Sequence, residues 1–455
     1  MIHISSYGVK PMIELSPEII TAIMFGAVLL GVLTGYPLAI IIGAIALGVG
    51  YLVVGTSIVY LMYVRTFAML TNYILLAIPL FIFMGTMLER SGITDKLYGV
   101  LFLCLGRFRG GLAEATVLVG TVIAACVGVV SASVSMLTVI ALPSMLKRGY
   151  NKALASGSIC AGGTLGILIP PSVMLVFYGP MAGISVGKLF MGAFMPGLLL
   201  SGLYCIYIAI RCSFQSDIAG LLPSEERAVP LIKKMTMLLT SILPVTVIIL
   251  SVLGSIFLGV AAPTEAAGVG AFAATLLALG YGKLNWQSIK QAALTTVKIS
   301  GMVFFLVIMC YPFTSVFISA GCGDVVERIV LGIPGGRWAA FALIMFIIFI
   351  EGMFIDWVGI VLIMVPILTP IIPELGFDPL WFALMICINL QMSFMTPPFS
   401  PSIFFLLGAA DPKFGVRVGD VIRGVCPFVA LILLALGLCI LFPEIILWLP
   451  SMMIK

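Results

Sequence analysis

The residues that could do chemistry are few, and they interrupt otherwise apolar runs. Ser131, Ser133 and Ser135 break one run, and Gly162-Gly163-Thr164 through Ser172 breaks another. Further on come Gly352 and Asp356, then Ser393 through Thr396-Pro397-Pro398. Hydroxyls, one carboxylate and the backbone freed by a broken helix can coordinate a hard cation, and half-helix N-termini attract an anion. Unpaired backbone is tolerated inside a bilayer only where it lines a polar cavity. This is chemistry of binding and release.

Catalysis has little to draw on. The only histidine is His3, in the N-terminal tail, so histidine acid–base chemistry, histidine metal sites and haem ligation within the membrane are excluded. No serine–base pair or paired carboxylates stand at catalytic spacing. The ten cysteines contain no C-x-x-C pair and lie mostly in apolar runs, as small core residues do. No G-x-x-x-x-G-K-[ST] loop is present, so the chain does not hydrolyse ATP itself.

The elements that position these residues follow from composition. Of 455 residues, 62% are hydrophobic and only 9% charged, against about 25% charged in a soluble domain. The chain is a polytopic membrane protein. At about 20 residues per span, its length allows roughly 10 to 14 segments. The excess of positive charge lies in loops, where it orients the protein in the lipid bilayer and does not suggest a nucleic-acid surface. Residues 19–54 are interrupted at Gly35-Tyr36-Pro37, which fits either one long bent helix or two short ones.

Lys and Arg distribution sets the sidedness. One set of loops holds Arg107, Arg109, Lys147, Arg148, Lys152, Arg211, Arg227, Lys233, Lys234, Lys283, Lys290, Lys413, Arg417 and Arg423. The other holds Lys188, Arg328 and Arg337 beside Asp324, Glu327, Glu374 and Asp378. The first set is expected in the cytoplasm. Segment 115–146 then has basic flanks at both ends and is too short for two crossings, so it reads as a re-entrant hairpin turning at Val130-Ser131-Ala132-Ser133. Segment 338–372 has the same form, with a tip around Ile355-Asp356-Trp357-Val358-Gly359, and enters from the opposite face. The plainer alternative is a set of ordinary short buried helices.

One offset recurs. Pro143 pairs with Pro370, Gly149-Tyr150 with Gly376-Phe377, and Pro170-Pro171 with Pro397-Pro398, all displaced by 227 residues. In each copy a hairpin is followed by a polar turn, an apolar helix and a Gly/Thr/Ser-bearing break ending in Pro-Pro. The turn is basic in the first copy and acidic in the second, the signature of an inverted-topology repeat.

Few charges remain in apolar surroundings, and each is costly there. Asp356, at a hairpin tip, is the best cation-ligand candidate, although an interfacial residue at a helix boundary would look the same. Glu351 is either a structural partner for a backbone amide or part of the site. Glu265, in Pro263-Thr264-Glu265, suits a helix N-terminus, which could be its whole role. With no Arg or Lys expected at midplane depth, an anion would be held by helix N-termini, hydroxyls and a co-bound cation.

Several motifs carry a resemblance. GGTLGILIPPS (162–172), APTEAAGVGA (262–271), SASVS (131–135) and FIDWVGIVLIMVPILTPII (354–372) with MTPPFSPSIFF (395–405) resemble the large, DctM-like membrane subunit of the tripartite ATP-independent periplasmic (TRAP) transporters. The likeness covers about residues 20 to 448. It implies an all-α, elevator-type carrier of the bacterial inner membrane with inverted repeats and two re-entrant hairpins. It further implies sodium as coupling ion, no other cofactor, and uptake of an organic acid such as a C4-dicarboxylate or sialic acid. The implied partners are a small four-helix membrane subunit and a periplasmic substrate-binding protein.

Carried over by position, the resemblance implies one sodium site at Ser131 and Ser133 with Gly163, Thr164, Gly166 and Pro170. It implies a second at Gly352 and Asp356 with Thr396 and Pro397. Substrate would lie near Ser172, Thr396, Ser400 and Ser402. After the second Pro-Pro, family members usually continue with small residues such as Val-Gly, whereas this chain has Phe399-Ser400-Pro401, which puts a C4-dicarboxylate substrate in doubt.

The expected organisation is a tail at 1–18, scaffold helices and an arm at 19–110, and a first transport repeat at 111–188. Scaffold and connecting helices follow at 189–323, a second transport repeat at 324–410 and a C-terminal helix at 411–455. A stand-alone anion–sodium symporter is the alternative within the class. A channel fits an inverted hairpin pair less well than alternating access does.

Overall fold

The computed structural model describes residues 15–220 and 230–453, which contain helices and no strand. His3 and Arg227 lie outside the described residues. The chain breaks at Gly35-Tyr36-Pro37 into two 17-residue helices, α1 (Pro17–Leu33) and α2 (Leu38–Val54). Gly35 takes a left-handed φ of 77°, and Pro37 forces the residue before it out of the helical region.

The first half continues with α3 (Ser57–Leu70), α4 (Ala77–Arg90) and α5 (Ile93–Leu105), then a hairpin of α6 (Gly111–Val127) and α7 (Val130–Leu146). Next come α8 (Lys152–Thr164), an irregular break, α9 (Val173–Ala182) and the long α10 (Val186–Phe214). The second half runs the same way through α11 (Leu231–Phe257), α12 (Pro263–Gly280), α13 (Trp286–Ser319) and α14 (Cys322–Leu331). Its hairpin is α15 (Gly336–Gly352) with α16 (Trp357–Glu374), followed by α17 (Pro379–Ser393), a break, α18 (Pro401–Ala409), α19 (Val418–Leu441) and a short α20 (Glu444–Ser451). The internal repeat therefore extends beyond the region where residues match: α13 covers in one helix what α3 and α4 share.

Left-handed glycines punctuate both copies. Gly92 (φ 72°) and Gly321 (φ 74°) open α5 and α14, while Gly110 (φ 84°) and Gly335 (φ 112°) open the two hairpins. The copies interlock, since α5 packs on α11 and α14 packs on α1. At the second crossing Arg328 donates to Glu18 at 2.8 Å, an exposed pair that solvent screens. The same contacts hold Glu18's carboxyl below its ordinary pKa, its backbone hydrogen bond first and the Arg328 hydrogen bond next.

Among the described residues six helical stretches are long and apolar enough to cross a membrane, including α10, α13 and α19. The hairpin arms α6, α7 and α15 have 17 residues each, about 25 Å at 1.5 Å per residue. That is short of a hydrocarbon core of about 30 Å, while the fourth arm, α16, has 18 residues and is one of those six stretches. The fold is an all-α membrane protein with inverted repeats and two re-entrant hairpins.

At its centre lie α8 and α17, in which every residue from Leu154 to Thr164 and from Leu380 to Ser393 is buried. Lipid is as apolar as leucine, so helices associate here by close backbone approach rather than by a hydrophobic drive. A Cβ on Gly157 would strike the Gly424 backbone where α8 crosses α19, and one on Gly120 would meet Gly162 at 2.7 Å where α6 crosses α8. Residues 189–210, grouped with the scaffold from sequence, form α10, which packs on α6, α17 and α19. Thr121 and Ser201 share a hydrogen bond of 2.6 Å across that contact.

Candidate ion and substrate site

The first tip turns two residues earlier than the sequence suggested. Gly128 (φ 61°) ends α6 in the left-handed region and Val129 is extended. Ser131 and Ser133 lie in the first turn of α7, and the turn comes at the glycine because its backbone carries no Cβ penalty. Ser133 is fully buried, and its hydroxyl donates to Val129 O at 3.1 Å. Behind the tip, a Cβ on Gly166 would sit 3.6 Å from Ser133 Oγ, one on Gly163 would run into Val134, and one on Gly128 would meet Pro171 O at 2.8 Å. Ser133, Gly163 and Gly166 are thus brought together, with the Pro170-Pro171 bond cis beside them. Thr164 points its hydroxyl to Ala161 O at 3.1 Å, within reach of Met395.

The second tip comprises residues 353–356, and Trp357–Gly359 belong to α16. Asp356 caps α16, its carboxylate accepting from Val358 N at 3.5 Å, a long contact that leaves most of its acceptor capacity unused. The tip leans on the second break: Phe399 N donates to Met353 O at 2.9 Å, and a Cβ on Gly352 would overlap the Ser393 hydroxyl. Thr396 donates to Met392 O at 2.9 Å, and Pro397-Pro398 is cis. At the 227-residue offset Asp356 matches Val129, so the two helix caps coincide and only one carries a charge.

Both tips open on one cavity of about 90 Å³, room for roughly three waters. Gly128, Val129 and Ser131 line it from the first tip, and Asp356, Trp357 and Val358 from the second. Ile167 and Phe394 come from the two breaks, and Ile299, Met302 and Val303 from α13. The residues expected near substrate lie just behind this wall. Ser172 Oγ donates to Ile167 O at 2.5 Å and Ser402 Oγ to Phe394 O at 2.8 Å. Ser400 holds φ 33°, and its buried Oγ has no hydrogen-bond partner among the described residues. None of Ser172, Thr396, Ser400 and Ser402 lines the cavity itself.

A family model described as "Tripartite ATP-independent periplasmic transporter, DctM component" matches residues 25–445. The chain belongs to the DctM family. It is a transporter component of the inner membrane and not an enzyme. A C4-dicarboxylate TRAP transporter large permease protein DctM of Pseudomonas aeruginosa is 30% identical over 85% of this chain and 88% of its own length. An isethionate TRAP transporter permease protein, DctMQ, of Oleidesulfovibrio alaskensis is 29% identical over 93% of this chain and 65% of its own. Among solved structures, the Alcanivorax borkumensis YdaH transporter aligns with TM-score 0.61 at 16% identity, covering 87% of this chain and 89% of that one. That likeness is one of fold.

The remaining charges sort by position. Glu265 Oε2 accepts from Ala262 N at 2.9 Å at the start of α12, the structural role, and it lies away from the cavity. Glu351 faces a separate small cavity with Phe25 and Val28 of α1, and its buried Oε2 has no hydrogen bond among the described residues. Because α15 ends at Gly352, the chain reverses between Glu351 and Asp356. Four cations that the loop survey passed over stand within helices: Arg65 in α3, Arg90 in α4, Lys96 in α5 and Lys298 in α13. The α13 contribution carried no signal in the sequence, since Ile299, Met302 and Val303 look like any lipid-facing residues.

Proposed function

We propose that this DctM chain is the sodium-coupled, elevator-type membrane subunit of an importer for an organic acid anion. The observation that carries the reading is the convergence of two oppositely inserted hairpin tips and two broken helices on one small cavity, with a single carboxylate, Asp356, at its wall. A lone carboxylate in low dielectric calls for a cation, and a bound cation in turn offsets the charge of an anion beside it. One sodium site is proposed at Ser131, Ser133, Gly163, Thr164, Gly166 and Pro170, and a second at Gly352, Asp356, Thr396 and Pro397. Ser172, Thr396, Ser400 and Ser402 would bear on the substrate from behind the cavity wall once the closed volume opens.

In this reading the hairpins, breaks, α8 and α17 move as one body past α1–α4 and α11–α13, and α10 and α19 go with the moving body by their packing. Motion between two faces of one interface needs no repacking inside the site. A small membrane subunit and a periplasmic binding protein are the proposed partners. The relatives' names give C4-dicarboxylate, isethionate, ectoine and sialic acid, each bearing an acid group, so the cargo is proposed as an organic acid and no single one is chosen.

The experiment is uptake into proteoliposomes containing the chain with its small subunit and binding protein. Labelled succinate and isethionate are the probes, and an inward sodium gradient is compared with an equal potassium gradient. Saturable uptake under sodium alone supports the proposal; uptake indifferent to the cation refutes sodium coupling. Uptake that needs no binding protein would favour the stand-alone symporter.

A further inference from the structure

Lys298 is exposed on a helix that both reaches the cavity and spans the membrane. It is the thirteenth residue of the 34-residue α13, about 18 Å from the helix start at 1.5 Å per residue. Positions 290, 294, 298 and 302 rise along one side of α13 at successive turns. The uppermost, Met302, lines the cavity and is still 57% exposed, so it stands where the cavity meets the outer surface of the helix bundle. A Cβ on Gly301 beside it would meet nothing within 4 Å. Ile299, next to Lys298, lines the cavity as well. Lys298 has no hydrogen bond or ion pair among the described residues, and Lys290 is exposed two turns below it. The end of α13 bearing these lysines is the one that charge asymmetry assigns to the cytoplasm.

An ammonium at this depth facing hydrocarbon is unfavourable, whereas one facing a water-filled approach is not. We propose that Lys298 is the fixed positive charge an organic anion meets as it leaves the tip cavity for the cytoplasm, a specificity role that rests on the anion-carrier reading above. With Lys290 it makes a stepped positive path from the mouth of the cavity to the aqueous end of α13. The charge belongs to a helix outside the moving body, so it would act on the cargo only when the cavity faces inward. The site itself would hold no fixed cation that could retain the anion.

The test needs no knowledge of the cargo. Met302→Cys is introduced as a reporter, with Gly301→Cys as a second, and inside-out vesicles are treated with anionic sulfonatoethyl or cationic trimethylammonioethyl methanethiosulfonate. Rates are measured against the unsubstituted chain, because native cysteines such as Cys426 are exposed. Across about 6 Å of water, one charge changes the local concentration of a monovalent reagent about threefold. Lys298→Gln should therefore slow the anionic reagent about threefold and speed the cationic one about threefold, and Lys298→Arg should leave both rates unchanged.

If neither reporter reacts from the cytoplasmic side, or Lys298→Gln leaves the ratio of rates unchanged, the lysine faces lipid and the proposal is overturned while the carrier reading stands. If the ratio shifts as expected but the unsubstituted chain with its partners takes up no organic anion, the carrier reading fails and the cargo role fails with it.

Discussion

Replacing Asp356 with asparagine separates the charge from the geometry at the second tip. Asparagine caps a helix about as well as aspartate does, and the backbone contact from Val358 N to the carboxylate at 3.5 Å has an acceptor in either residue. The hairpin should therefore fold and insert unchanged. In the absence of sodium the variant should be as stable as the parent or slightly more so, since an unpaired carboxylate no longer has to be desolvated. What is lost is a charged ligand. An interaction with a charged group contributes about 1.5–3 kcal/mol, which is about a 10- to 100-fold weaker sodium affinity. The assay is transport in proteoliposomes as a function of sodium at constant ionic strength, with sodium-dependent thermal stabilisation in detergent as a measure independent of cargo. A half-saturating sodium concentration within about twofold of the parent's, against the 10-fold minimum above, would remove Asp356 from the site and refute the reasoning.

Other perturbations follow from close contacts and from topology. Gly352→Ala should destabilise the second tip by about 1–3 kcal/mol, because the added Cβ overlaps the Ser393 hydroxyl; Ser393→Gly in the same chain should recover most of the loss in thermal denaturation, and no recovery would mean that the clash is elsewhere. Cysteines placed near Lys147 and Glu374 should label from opposite sides of the membrane, and labelling of both from one side would contradict the inverted repeat. A cross-link between positions 121 and 201, already joined by a hydrogen bond of 2.6 Å, should leave transport intact because both positions move together. A cross-link between Val122 of α6 and Val245 of α11, which line one small cavity, should stop it, and equal inhibition by both would replace the rigid-body motion with local gating.

Local information was enough for much of this protein. Glycines, prolines and charges act over one or two helical turns, so Gly35-Tyr36-Pro37, the Pro-Pro breaks, the basic and acidic turns and the 227-residue repeat could all be read without coordinates. Asp356 stood out for the same reason, as a lone carboxylate between apolar arms. The exact turn of the first hairpin was less legible: serines drew attention to positions 131–133, while the left-handed Gly128 decides where the helix ends.

Tertiary structure decided which elements meet. In water an amphipathic pattern tells a helix which face to bury, but in lipid both faces are apolar and partners are chosen by shape. Gly157 against Gly424 and Gly120 against Gly162 are such choices, and nothing in the sequence marks Gly157, Gly424 or Gly120 from the rest. The same holds for the third wall of the cavity: Ile299, Met302 and Val303 join it only because α13 passes both hairpin tips. That passage also sets Lys298 one helical turn from Met302, on the same side of α13.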